Sequence, residues 1–206
     1  LPRLLRAVLP DAGARGGGGR LLLVRAALSA PEILRFEHCR KAEGLVLPLS
    51  VEENILSLIL DRVSPHGFVN RKMADEEVKQ GIEQLNIKVA SPMQAVQYLS
   101  GGNQQKIVFS KWIKTHPKIL YLHEPTRGVD VQSKLEIYAL IRRLTAEGVS
   151  VVVFTSDILE LIGLSDEIYV MYEGEISGHI AGAEATEEKI MQMSAKSANK
   201  RKQEGQ

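Results

Sequence analysis

From Ser50 to Ser194 the apolar and polar positions fall into blocks that switch between a helical period and short continuous apolar runs. Ser50-Val51-Glu52-Glu53 opens the first block. Ser stands at the N-cap and Glu three residues on, the reciprocal capping pattern, and a helix is predicted from about Val51 to Leu60. Pro65-His66-Gly67 marks a turn. A polar helix is expected from Arg71 to Leu85, and a further short segment from Ser91-Pro92. Together these make a small helical subdomain over residues 50–98.

A helical stretch then runs from Leu99-Ser100-Gly101-Gly102 to about Lys114, and Pro117 ends it. Ile119-Leu120-Tyr121-Leu122 is the continuous apolar run of a buried parallel strand. An amphipathic helix from Ser133 to Glu147 is closed by Gly148. Val149 to Phe154 follows as a β-branched strand. A short helix (Ile158 to Leu164), two strands (Ile168 to Met171 and Gly174 to Ile180) and a last helix (Thr186 to Ser194) complete the pattern. Alternating strands and helices predict an α/β fold with a mostly parallel sheet and the small helical subdomain attached.

Composition changes this picture at the ends. Leu1 to Arg35 holds six Arg, no Lys and the run Gly16-Gly17-Gly18-Gly19. It reads as a non-matching leader with little order, either a flexible lead-in or a stretch translated in another frame. Arg-rich, acid-poor stretches also serve as transit signals, but the Gly run would interrupt an amphipathic helix. Three stretches are therefore expected: the leader at 1–35, the domain at 36–194 and a solvated polar tail at 195–206. With 26 Lys+Arg against 25 Asp+Glu the net charge is +1, which excludes a global polyelectrolyte role. Cys39 is the only cysteine, so a disulfide framework is excluded too.

The chemistry concentrates in two places. Ser100-Gly101-Gly102 at a helix start offers unpaired N–H groups, a favourable dipole and glycines that let a phosphate reach the backbone. By itself, Ser-Gly-Gly is also an ordinary N-cap after a loop. The run Ile119 to Leu122 then delivers His123 and Glu124 at its C-terminal end, where nucleotide sites hold metal and polarise water.

The order of these motifs carries a resemblance. Leu99-Ser100-Gly101-Gly102-Asn103-Gln104-Gln105-Lys106, then Glu124-Pro125-Thr126-Arg127-Gly128-Val129-Asp130-Val131, resembles the second nucleotide-binding domain of the tandem ATPases of bacterial ribose, galactose and xylose ABC importers. Arg40-Lys41, Glu43-Gly44-Leu45 and Ser50 to Ile55 extend it over roughly three quarters of the chain.

The resemblance implies an ABC-type P-loop ATPase domain in part, with ATP and Mg²⁺ as cofactors. Ser100, Gly101, Gly102 and Gln104 would face the γ-phosphate of ATP held by a partner domain. Asp130 would belong to the loop coupling two sites. Glu124 would be the general base that orients the attacking water. Glu37 would sense the membrane subunits, and residues 50–98 would meet them. The implied partners are ABC permease subunits and a nucleotide-binding domain with an intact P-loop, on the cytoplasmic face of the cell membrane. Nucleic acid is not an expected partner, because there is no concentrated basic face and no room for heptad arms.

Three departures qualify this. No G-x-x-x-x-G-K-[ST] sequence occurs anywhere in the chain. A P-loop supplies a nest of N–H groups, a Lys and a hydroxyl. Losing several such contacts, each worth about 1.5–3 kcal/mol, costs decades of ATP affinity. His123 stands where the family has Asp, and imidazole is a poor ligand for Mg²⁺. Thr155-Ser156-Asp157 stands where the family has a switch histidine. The chain alone is therefore expected to be inactive and to supply at most the signature side of an ATP site. The alternative is a non-catalytic module that docks on a permease or an intact ATPase.

Overall fold

The structure, a computed structural model, describes residues 44–65, 67–172 and 175–194, together with the backbone of 33–36. Expectations placed on residues 1–32, Glu37, Cys39, Arg40-Lys41, Glu43, His66, Gly174 and the tail at 195–206 lie outside the described residues. A short strand, β1 (Ile33–Phe36), crosses the boundary that composition places after Arg35. Among the described residues the rest divides into two compact units, one of 34–118 with 125–140 and one of 119–124 with 141–194.

The first unit is helical. In α1 (Val51–Leu56) the capping box forms as the sequence predicts. Ser50 Oγ accepts from Glu53 N at 3.1 Å, and Glu53 Oε2 accepts from Ser50 N at 2.8 Å and from Ser50 Oγ at 2.7 Å. These bonds, first the side chain's and then the backbone's, hold the Glu53 carboxyl below its ordinary value. The expected helix to Leu60 stops early. Ser57 Oγ donates to Asn54 O at 2.8 Å, the local competition with which Ser ends helices. The chain turns helical again only in α2 (Leu60–Val63).

Helix α3 (Arg71–Gln84) starts on Asn70, whose Oδ1 accepts from Met73 N at 3.3 Å. A 3₁₀ turn (Val96–Tyr98) leads to α4 (Gly101–Ile113). Helices α1, α3 and α4 pack on one another around Val51, Ile55, Val78, Val96, Ile107 and Phe109, all buried. Glu77 on α3 ties this packing at the surface by accepting from Lys114 Nζ at 2.6 Å and pairing with Arg62 at 2.8 Å. Near the end of α4 the Lys111 ammonium lies 5.9 Å from the Trp112 ring centre.

Helix α5 (Val131–Ala146) begins in this unit and ends in the other. Gly148, with φ +94°, terminates it in a left-handed turn.

The second unit holds the sheet. β2 (Ile119–His123) and β3 (Ser150–Phe154) are parallel, in register from Ile119 opposite Ser150 to His123 opposite Phe154. Leu120, Leu122, Val151 and Val153 are buried, as their apolar runs require. Asp157 caps α6 (Ile158–Leu164), accepting from Leu159 N at 3.1 Å and Glu160 N at 3.2 Å.

β4 (Glu167–Tyr172) and β5 (Glu175–Ala181) form an antiparallel pair of their own, the pairing a tight connection allows. The register shifts at Val170/Met171, where Ser177 Oγ donates to Val170 O at 3.1 Å. On this hairpin the Tyr169 and His179 rings stack at 4.4 Å, and His179 Nε2 meets Glu167 at 2.7 Å. A 3₁₀ turn (Gly182–Glu184) and a last helix, α7 (187–194), follow. Gly182 N donates to Asp166 O at 2.7 Å, and a Cβ there would run into the Ser165 carbonyl. Among the described residues no helix is long and apolar enough to cross a membrane.

Candidate functional site

The predicted site residues fall in both units. Ser100, Gly101, Gly102, Gln104 and Asp130 share the helical one; His123 and Glu124 belong to the other.

Ser100 is the N-cap of α4, in extended conformation. Its Oγ accepts from Asn103 N at 3.4 Å and from Asn103 Nδ2 at 3.0 Å. A hydroxyl has two acceptor lone pairs and one O–H donor. Asn103 takes both acceptor positions, which leaves the exposed Ser100 its O–H as a donor. The N–H groups of Gly101 and Gly102, in the first turn, have no intrahelical acceptor. Three donors thus converge where the helix dipole favours negative charge.

Gly102 also makes a close approach. A Cβ there would collide with the Ser133 side chain and stand 3.3 Å from Asp130 Oδ2. Only a residue without a side chain lets the starts of α4 and α5 meet so closely. Asp130 caps α5 in turn: Oδ1 accepts from Ser133 N at 2.9 Å and Oδ2 from Ser133 Oγ at 2.8 Å. The Ser133 backbone bond first, and then its side-chain bond, hold the Asp130 carboxyl below its ordinary value. Ser133 is absent from the predicted set, although Asp-x-x-Ser is a recognisable N-cap spacing.

Gln104 faces inward. It is 6% exposed, and its Nε2 donates to Val96 O at 3.1 Å and Leu99 O at 3.2 Å. Those bonds fix the loop that delivers Ser100.

In the other unit, Glu124 N donates to Phe154 O at 2.7 Å and so extends the β2–β3 ladder by one step. Its φ is +50°, a left-handed conformation uncommon for a side chain of this kind. Its carboxylate is engaged. Oε1 accepts from Ser156 N at 3.0 Å and Ser156 Oγ at 2.8 Å, and Thr155 Oγ1 lies 3.5 Å from Oε2. Thr155 Oγ1 itself accepts from Asp157 N at 3.0 Å. The segment Thr155-Ser156-Asp157 is therefore folded around the Glu124 carboxylate. His123 is exposed, with its ring edge-on to Phe154 at 6.4 Å.

These donor sets decide what the residues can hold. The α4 start suits a phosphate oxygen, because it offers first-turn N–H donors and a hydroxyl, and the nearby Asp130 carboxylate is bound by Ser133. A hard divalent cation does not fit at His123 and Glu124, where an imidazole stands beside a carboxylate already bound by Ser156. Among the described residues no three His, Cys, Asp or Glu side chains group as a metal site.

Comparison with known proteins places this arrangement. No family model matches the chain. The ribose import ATP-binding protein RbsA of Bacillus subtilis is 50% identical over 152 residues, which cover 74% of this chain and 31% of that protein. A putative ribose/galactose/methyl galactoside import ATP-binding protein of Geobacillus kaustophilus is 41% identical over 189 residues, covering 89% of this chain and 37% of that protein. The ATP-binding cassette MJ0796, solved as a dimer in a post-hydrolysis state with ADP and phosphate, superposes with a TM-score of 0.61 at 22% identity. That match covers 72% of this chain and 62% of the other.

The fold is that of part of an ABC-type ATP-binding cassette. In sequence the chain is similar to ribose and galactose import ATP-binding proteins, and it spans about a third of their length.

Proposed function

We propose that this chain supplies the signature side of an ATP site in a monosaccharide importer of the ABC type. The observation that carries the reading is the start of α4, where the exposed Ser100 caps the helix, Gly101 and Gly102 open its first turn, and Asn103 and Gln104 hold the turn in place. These donors bind the γ-phosphate of ATP presented by a second nucleotide-binding domain with an intact P-loop. Asp130, braced by Ser133 beside Gly102, links that contact to α5. Bound ATP would supply the phosphoanhydride that is hydrolysed; the residues here bind and orient its terminal phosphate.

Glu124 matches the family's general base. The 206 residues contain no P-loop sequence to bring a nucleotide to it. The chain alone is accordingly inactive. Sugar choice lies with other subunits.

A second reading is a docking module without a catalytic contribution. Exposed apolar side chains on the helical unit favour it: Phe68 is 86% exposed, and Leu58, Leu60 and Val69 are exposed nearby in the sequence. Under the first reading the helical unit meets ABC permease subunits at the cytoplasmic face of the membrane; under the second the chain docks on a permease or on an intact ATPase.

The test is the ATPase rate of a separately produced nucleotide-binding domain with an intact P-loop, titrated with this chain. A saturable rise that Ser100→Ala weakens is the expected result. No rise at saturating chain overturns the signature role and leaves docking.

A further inference from the structure

Lys106 lies on the second turn of α4 with its side chain 6% exposed. Its ammonium forms an ion pair with Glu136 on α5 and donates to Asn86 O at 2.9 Å. Asn86 stands just beyond α3 in a left-handed conformation, φ +47°. One turn earlier on the same face of α4, Asn103 Oδ1 accepts from Lys88 N at 2.9 Å. The turn at 86–88 is thus tied to α4 at two points. Helix α4 is tied to α5 at two more, through Lys106 to Glu136 and through Gly102 against Ser133 and Asp130.

A buried ammonium is costly unless paired, and an apolar side chain of similar volume is often the more stable choice. What the paired ion adds is a defined geometry. We propose that Lys106 and Asn103 form a strut that sets the position of the α4 start relative to the end of α3. Lys106 is then a positioning residue for Ser100, Gly101 and Gly102: a partner that shifts α3 moves the phosphate donors through it. This inference rests on reading the α4 start as a phosphate contact made in trans.

The experiment compares the full chain with Lys106→Met and Lys106→Arg. Two quantities are read: stimulation of the P-loop domain's ATPase, resolved into maximal rate and half-saturating chain concentration, and amide exchange at Lys88 and at Ser100 to Gly102. Lys106→Met should lower the stimulated maximal rate about tenfold, within the usual range of couplings between sites, with the half-saturating concentration little changed. Lys106→Arg should restore most of the rate, and the Lys88 amide should exchange faster only in the Met variant.

Unchanged rate and unchanged exchange in Lys106→Met overturn the strut. If the unaltered chain gives no stimulation, the trans reading has failed, and the amide exchange alone decides the strut. Should Lys106→Met fail to fold, Lys106→Leu, which likewise can neither donate to Asn86 O nor pair with Glu136, is judged by the same two criteria.

Discussion

The two ends that sequence marks as chemical differ in where their polar groups point. At the start of α4 the side chains of Asn103 and Gln104 bond to Ser100 and to the preceding loop, and the first-turn N–H groups have no intrahelical acceptor. At the end of β2 the functional group itself is bound, since Ser156 gives both its N–H and its hydroxyl to Glu124 Oε1. The first is a site prepared for an external acceptor. The second is a carboxylate with one of its two oxygens taken within its own unit. The two motifs, already unequal as letters at His123, are therefore unequal as chemistry too.

The sharpest way to break this contrast is Gly102→Ala. The new methyl group must displace Ser133 or Asp130, and with them the phosphate donors. Loss of two charge-assisted bonds at about 1.5 kcal/mol each predicts roughly a hundredfold fall in trans stimulation. The Ser156 amide signal should stay where it is; if it moves as much as Gly101's, the two ends are not separate.

Gly182→Ala is the counterpart in the other unit. Its Cβ meets a backbone carbonyl that cannot swing aside, and overpacking of this kind costs about 2 kcal/mol. Urea unfolding should show that loss, with trans stimulation by the remaining folded chain unchanged.

Ser156→Ala removes one of the two donors on Glu124 Oε1 and should cost about 1.5 kcal/mol. Glu124→Ala combined with it should cost less than the two singles added. Strict additivity would mean that the clamp is not a coupled pair.

The smallest effect is on titration. Ser133 holds the Asp130 carboxyl below its ordinary value of 3.8, so the stability it contributes is whole above 3.8 and fades as pH falls through the lowered folded value. In Ser133→Ala the carbon-detected titration of Asp130 should move up toward 3.8. A midpoint that does not move would assign the depression to the Ser133 backbone N–H, which the variant keeps, and not to its hydroxyl.

Much of the fold was readable because its signals are local. The Ser50 capping box, the apolar runs of β2 and β3, the α6 span and the glycine after α5 all depend on neighbours a few residues apart. Periodicity does not show the break after Leu56, because Ser57 competes there for a backbone carbonyl. Site chemistry was legible in part. Ser100-Gly101-Gly102 can be read as a donor cluster from one window. Ser156 cannot be linked to Glu124 that way, since 32 positions separate them and only the parallel ladder brings them together. Gln104 and Lys106 look like the polar continuation of a binding motif, but tertiary packing turns both inward.

The single tryptophan of the chain, Trp112, stands on α4 with a cation near its ring. Indole emission responds to nearby charge, so light excited selectively from this residue reports on the helical unit alone. A phosphate arriving at α4 can therefore be followed in an unlabelled sample, without attaching a dye.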